Sequence, residues 1–147
     1  PFSCYEQELV NFLREDALDN QMLKLSVTFL WFHKGELASY ITLLSDRITL
    51  EGDLQHFFRA KDILYRSLPS LKIGRLCVND QFQRKGLGRL MILFAIEKAK
   101  EIAKDKAGCR FVTVDPKVKS VGFYQKMGFE QLEKNGAVTL YFDIVKS

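Results

Sequence analysis

Residues 72–104 constrain the fold most, because they join a strand to a long helix through paired glycines. "KIGRLCV" is apolar and strand-like, "RLMILFAIEKAKEIAK" has apolar residues at helical spacing, and "QRKGLG" lies between them. The first amide N–H groups of such a helix lack intrahelical partners and lie at the positive end of its dipole. Gly86 and Gly88 carry no Cβ atom, so an anion can approach those amides closely. With Arg84 and Lys85 beside the glycines, this pattern predicts a backbone site for a phosphate-type anion.

Three kinds of structure compete for "QRKGLG". A nucleoside-triphosphate P-loop requires G-x-x-x-x-G-K-[ST], and no Lys-Ser or Lys-Thr follows Gly88. A dinucleotide-binding fingerprint requires G-x-G-x-x-G, but Met91 stands in place of the third glycine. A plain strand-to-helix turn would use the glycines only for their backbone freedom, and the residues alone leave that interpretation open.

The first half of the chain predicts a helix followed by a hairpin. Ser3 and Glu6 match a capping box, and the apolar spacing after them predicts a helix from Tyr5 to Asn20. "LKLSVTFLWF" and "LASYITLLSDRITL", joined by "HKGE", predict an antiparallel hairpin. Residues 51–70 are expected to form a loop with a short helix at Leu54–Tyr65.

Strands and helices alternate in the second half. "RFVTVD" is predicted to be a strand, "KSVGFYQKM" a short helix ended by Gly128, and "AVTLYFDIV" a last strand. This alternation predicts one α/β domain over residues 1–147, with helices on the faces of a sheet that contains a parallel pair. The long helix after the glycines should bury one face, made of Leu87, Leu90, Met91, Phe94, Ala95 and Ile102.

Composition excludes several classes of protein. A chain of 147 residues that is 47% hydrophobic and 27% charged matches one globular domain, not a disordered segment. Its 22 Lys and Arg against 18 Asp and Glu leave a net charge of +4, which favours an anionic ligand without identifying nucleic acid. Cys4, Cys77 and Cys109 lack metal-ligand spacing, so we expect reduced packing thiols and no metal site. No apolar run approaches the roughly 20 residues that span a bilayer, which predicts a cytoplasmic protein without a membrane partner.

Two motifs resemble those of a known enzyme family. Q-x-x-G-x-G between a strand and a long helix resembles motif A of the GNAT superfamily of N-acetyltransferases, which bind acetyl-coenzyme A. "VDPKVKSVGFYQKMGFE" resembles motif B of that family, and the resemblance is close from Lys72 to Glu130. It implies a GNAT-like fold: a central mixed, mostly antiparallel sheet whose parallel strand pair is splayed at the acetyl-coenzyme A site, with helices on both faces.

The resemblance also implies roles for individual residues. Backbone amides of the glycine loop hold the coenzyme A pyrophosphate in this family, and the strand before the loop lies beside the pantetheine. Tyr124 would lie near the thioester sulfur and act as the general acid for the coenzyme A thiolate. The residues that the resemblance places at acetyl-coenzyme A are Leu76, Cys77, Val78, Gln83, Arg84, Lys85, Gly86, Leu87, Gly88, Arg89, Ser120 and Phe123.

Simpler interpretations stand beside these roles. The cations of the loop could form an ordinary solvated face, and Tyr124 could serve only to pack. Cys77 has no paired histidine, so we expect an inert buried thiol. Core positions are expected for Phe123 and Phe129, and exposed positions without a role for His33 and His56.

The sequence departs from the family pattern in three respects. Lys117 stands where motif B often has Asn, so one contact to the coenzyme is in doubt. Ser120 replaces a frequent Ala and is small enough for the same close approach. The family's usual first strand precedes its first helix, and this chain has almost no residues before "SCYEQ"; the strand is either cut off or missing from the sheet.

The implied reaction is direct acetyl transfer to an amine. Backbone N–H groups at Leu76–Val78 would polarise the thioester carbonyl. The sequence identifies no convincing base; the candidate carboxylates are Glu36, Asp46, Glu51 and Asp80.

The amine acceptor stays open between two classes. The first helix, the hairpin and "IGRLCVNDQFQRKGLGRLM" look similar to the toxin-type branch of the superfamily, whose members acetylate aminoacyl-tRNA and often sit beside a small antitoxin. That similarity implies a charged tRNA acceptor and an antitoxin partner, whereas a small-molecule or protein amine is the other class. A homodimer is also left open, as is a different function: a sensor or interaction module that binds acetyl-coenzyme A without turnover.

Overall fold

The computed structural model describes residues 2–4, 6–132 and 137–146. Its strands are β1 (Val27–His33), β2 (Glu36–Thr49), β3 (Ser67–Val78), β4 (Phe111–Val114), β5 (Glu130–Gln131) and β6 (Leu140–Asp143). Its α-helices are α1 (Gln7–Glu15), α2 (Ala17–Met22), α3 (Gly52–Arg59), α4 (Leu87–Asp105) and α5 (Val121–Lys126), with 3₁₀ turns at Asp80–Phe82 and Val118–Ser120. The described strands form one sheet in the order β1-β2-β3-β4-β6-β5.

The predicted hairpin is confirmed. β1 and β2 pair antiparallel, from Val27 opposite Leu43 to His33 opposite Glu36. The turn residues Lys34 and Gly35 have φ angles of 49° and 80°, the two positive values that a two-residue turn with the twist of a hairpin requires.

Among the described strands, β3 and β4 are the one parallel pair, and the predicted mixed sheet is confirmed. The Arg110 N–H donates to the Pro69 carbonyl at 2.9 Å, and Lys72 Nζ lies 2.7 Å from Asp115 Oδ2 further along both strands. The other neighbours are antiparallel; β4 meets β6 with Phe111 opposite Asp143 and Val114 opposite Leu140. The predicted splay of the parallel pair stays a prediction.

The chain divides into two compact units, Pro1–Leu44 with Ile73–Ala95 and Ser45–Lys72 with Ile96–Ser147. In the first unit, α1 covers one sheet face, where the Tyr40 hydroxyl donates to the Leu9 carbonyl at 2.6 Å and Phe12 packs nearby. The other face meets α4 through Phe94, whose ring lies 4.8 Å from that of Trp31. The prediction of a single domain over residues 1–147 stays a prediction.

The second unit has its own apolar core beneath α3. Phe58 of α3 lies 5.9 Å from Phe111 of β4, which lies 5.5 Å from Tyr141 of β6. The other buried residues of this core are Ile48, Leu50, Leu54 and Leu132. On the opposite face, Phe129 after α5 meets Phe142 of β6 with ring centroids 5.5 Å apart.

The single helix predicted for Tyr5–Asn20 is wrong, because the chain breaks at Asp16 into α1 and α2. The capping box is wrong as well: Glu6 is the N-cap of α1 and its side chain makes no capping bond. Ser3 makes a different contact: its carbonyl accepts a 2.8 Å hydrogen bond from the Asp80 N–H. Tyr5 lies outside the described residues.

The loop predicted for residues 51–70 is partly wrong. Its short helix is present as α3, but the strand after it already begins at Ser67 and continues through Pro69. A proline without an N–H fits this strand because its carbonyl still pairs with Arg110. The two-residue strand β5 was not predicted.

The predicted apolar face of α4 needs one correction. Met91 and Ala95 are fully buried as expected, but Leu90 is 54% exposed. The rest of the buried face consists of Ile92, Ile96 and Ala99. No helix in the described part of the chain is long and apolar enough to cross a bilayer.

Candidate active site

The glycine loop lies between two well-defined elements of the first unit. β3 ends at Val78, the 3₁₀ turn follows, and α4 begins at Leu87. Two residues of the loop have left-handed backbones, Arg84 with φ 61° and Gly86 with φ 81°. Left-handed residues placed among right-handed ones can turn successive amides toward one side of the chain, a feature of backbone anion sites.

The space around Gly86 is open. A Cβ atom added at Gly86 would meet no heavy atom within 4 Å, so a ligand can approach the backbone there. The Leu90 N–H donates to the Gly86 carbonyl at 3.1 Å, which is the first bond of the helix ladder. The amides of Leu87, Gly88 and Arg89 therefore belong to the first turn, where α-helices leave N–H groups without intrahelical acceptors. These groups fit a pyrophosphate.

The cations of the loop are exposed. Arg84, Lys85 and Arg89 all face solvent, and Lys85 Nζ lies 5.9 Å from the Phe82 ring centroid. Gln83 is placed differently from its neighbours, because its Nε2 donates to the Val78 carbonyl at 2.8 Å. Its side chain thus ties the loop back to the end of β3.

The strand end beside the loop contains the buried thiol. Cys77 is 2% exposed, whereas Leu76 and Val78 are half-buried. Burial, and then a hydrogen bond with Cys4 that favours the protonated thiol, raises the pKa of Cys77 far above its usual range. Such a thiol keeps its proton, which agrees with the expected packing role and disfavours a nucleophile.

Tyr124 lies on α5 in the second unit and is 5% exposed. Its ring contacts Phe123 and Phe129, each at 5.4 Å between centroids. Burial raises the pKa of the Tyr124 hydroxyl well above its usual value near 10, so the phenol is neutral at physiological pH.

The predicted stop of α5 at Gly128 is confirmed. Gly128 has φ 99°, its N–H donates to Gln125, and the Phe129 N–H donates to the Tyr124 carbonyl at 3.2 Å. This pattern is a Schellman cap, and it fixes the backbone of Tyr124.

The other motif B positions surround α5. Ser120 is half-buried at the start of the helix and makes no side-chain cap, and Lys117 is exposed before it. Phe129 is 3% exposed, as expected of a core residue. Phe123 is 40% exposed, so the prediction of a core position for it is wrong.

A family model describes this chain almost throughout. The model of the acetyltransferase (GNAT) domain matches residues 3–139. The chain belongs to the GNAT acetyltransferase family. It is therefore an acyltransferase, as the two motifs predicted. No curated protein sequence matches it.

Solved structures similar to this GNAT protein show the same fold. AtaT complexed with acetyl-methionyl-tRNAfMet superposes with a TM-score of 0.88 at 21% identity, covering 99% of this chain and 86% of that one. A tyrosine-to-phenylalanine mutant of KacT gives a TM-score of 0.84 at 22% identity, with the same coverage. AtaTR bound with acetyl-coenzyme A gives 0.80 at 22% identity, again covering 99% and 86%. The structure of AtaT bound to the C-terminus of the antitoxin AtaR and acetyl-coenzyme A gives 0.77 at 21% identity, covering 99% and 84%.

Within the first unit, the structure brings together the predicted pantetheine strand, Leu76–Val78, and the loop of residues 83–89. Two of the candidate bases belong to this unit and are exposed: Glu36 at the hairpin turn and Asp80 in the 3₁₀ turn. Asp46 and Glu51 are exposed residues of the second unit, as is His56. His33 is exposed but has a contact, since its ring lies 5.7 Å from that of Phe82.

The three cysteines are free thiols. In the described part of the chain, no three His, Cys, Asp or Glu side chains come together as metal ligands would. Sequence reasoning missed one residue at the start of the loop, Asn79, which is 2% exposed and hydrogen-bonded at both ends of its amide. The available signal was a short polar residue directly after a strand, which favours a turn.

Proposed function

We propose that this GNAT protein transfers the acetyl group of acetyl-coenzyme A directly to an amine. The observation that carries the proposal is the loop before α4, where Arg84 and Gly86 have left-handed backbones and a Cβ at Gly86 would meet open space. A concave run of amides at a helix N-terminus favours a pyrophosphate. The solved AtaTR structure with acetyl-coenzyme A supports the choice of ligand.

Binding would be shared between the loop and the strand before it. The amides of residues 84–89 would hold the pyrophosphate, with Arg84, Lys85 and Arg89 adding charge from exposed side chains. Backbone groups of Leu76, Cys77 and Val78 would bind the pantetheine, and their N–H groups would polarise the thioester carbonyl. Motif B would contribute Ser120, which is small, and Phe123, whose exposed ring can cover a ligand.

Acetyl-coenzyme A supplies the activated thioester when it is bound. In this reaction the amine nitrogen would bond to the thioester carbonyl carbon and the C–S bond would break. We assign to Tyr124 the proton that the departing thiolate needs; the proton released by the amine would pass to solvent, from which Tyr124 is reprotonated. Its hydroxyl is protonated at neutral pH, and the Schellman cap after α5 fixes its backbone. Proton donation by a positioned side chain typically accelerates a reaction by about 10²–10⁴-fold.

For the acceptor we propose the amino group of an aminoacyl-tRNA. The AtaT complex with acetyl-methionyl-tRNAfMet supports this choice, and a net charge of +4 is compatible with an anionic acceptor. An antitoxin partner belongs to the same proposal, supported by the AtaT structure with AtaR. The homodimer stays a prediction.

The test mixes the protein and acetyl-coenzyme A with charged tRNAs and, separately, with a panel of small amines. Mass spectrometry then identifies the acetylated product, which avoids interference from the protein's own thiols. Acetylation of an aminoacyl-tRNA is the expected result. Acetylation of a small amine alone would exclude the tRNA acceptor while leaving the acetyltransferase in place. Tight binding of acetyl-coenzyme A with no product from any acceptor would instead favour the sensor.

A further inference from the structure

Asn79 connects the start of the glycine loop to β2 by hydrogen bonds. It follows β3 directly and is 2% exposed, although its side chain is polar. The side-chain Nδ2 donates to the Leu37 carbonyl at 2.9 Å, and Oδ1 accepts from the Gln81 N–H at 3.2 Å. Its own N–H donates to the Ala38 carbonyl at 2.8 Å. One buried residue therefore ties the start of the loop to β2 and shapes the 3₁₀ turn after it.

Two further hydrogen bonds hold the same segment, residues 79–83. The Asp80 N–H donates to the Ser3 carbonyl at 2.8 Å, and the Gln83 side chain donates to the Val78 carbonyl at 2.8 Å. Residues 79–83 are thus held to β2, to the N-terminal segment and to the end of β3. Directly after them, Arg84 has a left-handed backbone with φ 61°.

A left-handed conformation at a residue other than glycine persists only where the surrounding structure imposes it. The bonds of Asn79 are the first of those that hold residues 79–83, and they lie where the chain leaves β3. We infer that Asn79 is a positioning residue: its side chain holds the glycine loop in the conformation that binds the anion. Only the identity of that anion, a coenzyme A pyrophosphate, rests on the proposed function.

The test compares the parent protein with Asn79→Ala. Loss of the two side-chain hydrogen bonds of Asn79 should raise the Kd for coenzyme A about tenfold, measured by calorimetry. In turnover, the KM for acetyl-coenzyme A should rise with kcat unchanged, because Asn79 acts on binding through the loop. Amide hydrogen exchange at residues 83–89 should be faster in the variant even without ligand.

Thr42→Val is the matched control within the same unit. Thr42 is 1% exposed and its hydroxyl shares a 2.8 Å hydrogen bond with Thr28, so this variant too loses side-chain hydrogen bonding at a buried polar residue. Its thermal stability should fall while coenzyme A affinity and loop exchange stay at parental values. Parental Kd and parental loop exchange in Asn79→Ala would overturn the inference, and so would equal effects of the two substitutions.

Asn79→Ser covers the case in which the alanine variant does not fold. The neutral hydroxyl can still accept from the Gln81 N–H but is too short to reach the Leu37 carbonyl, so loop exchange should lie between parent and Asn79→Ala. Parental exchange in Asn79→Ser would then contradict the inference. A parent protein that does not bind coenzyme A would instead refute the proposed function, and loop exchange would still decide the role of Asn79.

Discussion

Alkaline pH should destabilise the protein through Cys77, and the effect can be calculated. The thiol is 2% exposed, and burial raises its pKa in the folded protein. In the unfolded chain a cysteine has a pKa of about 8.5. Because the folded state keeps the proton that the unfolded state releases, the stability contribution is complete below that pH and is lost as pH rises above it.

The magnitude follows from the number of protons released. If Cys77 stays protonated in the folded protein, the free energy of unfolding falls by about 0.2 kcal/mol at pH 8 and about 2.1 kcal/mol at pH 10. The difference of about 1.9 kcal/mol is a substantial part of the roughly 5–15 kcal/mol that stabilises a typical domain. Tyr40 and Tyr124 also have pKa values raised chiefly by burial, and they begin to act near pH 10.

The assay is guanidinium unfolding at pH 8, 9 and 10 under reducing conditions, for the parent and for Cys77→Ala. The variant lacks the titrating thiol, so it should lose about 1.9 kcal/mol less between pH 8 and pH 10. The cost of the alanine cavity is independent of pH and cancels in this difference, as does the contribution of Tyr124. Tyr40, whose pKa Cys77 helps to raise, contributes only near pH 10. Equal losses of unfolding free energy in the two proteins would refute the reasoning. Rapid alkylation of Cys77 itself in the native state at pH 8 would contradict it independently.

Four further predictions concern the ligand sites and the second unit. Gly88→Trp should abolish coenzyme A binding, because the indole would block the amides of the loop, while the melting temperature stays parental; undiminished affinity in calorimetry would exclude this loop as the site. Tyr124→Phe should retain coenzyme A affinity and lower turnover by about 10²–10⁴-fold where chemistry limits the rate, and unchanged turnover would reduce Tyr124 to a packing residue. Binding of an aminoacyl-tRNA acceptor should weaken with salt at a log–log slope of about −3.6 for four phosphate contacts, whereas a flat response would oppose a polyanionic acceptor. Asp143→Ala should lower the free energy of unfolding by about 3 kcal/mol, because it leaves the partly buried Arg110 guanidinium without the carboxylate oxygens to which it donates at 2.8 and 3.0 Å. Asp105→Ala is the control: Asp105 and Lys106 form an exposed pair, so this substitution should have little effect on stability.

Local patterns predicted those parts of the fold whose causes lie within a few residues. The hairpin was recognisable because a short turn containing Gly35 joins two apolar runs, and the end of α5 because Gly128 can adopt a left-handed C-cap. The strand, paired glycines and long helix of residues 72–104 were likewise evident from spacing alone, as β3 and α4 now bear out. The two family motifs lie in these same segments, which is why the acetyltransferase family could be recognised from the sequence.

Other features depend on partners distant in sequence, and only the tertiary structure decided them. Pro69 belongs to a strand because the Arg110 N–H, far along the chain, pairs with its carbonyl. Leu90 has the spacing of a core residue but is 54% exposed, since burial depends on what packs against the helix and not on its periodicity. In the sequence, Asn79 looks like an ordinary turn residue. The fold places Leu37 of β2 beside it, and the two residues form a hydrogen bond. A buried polar side chain requires hydrogen-bond partners, and those partners come from elements that only folding brings together.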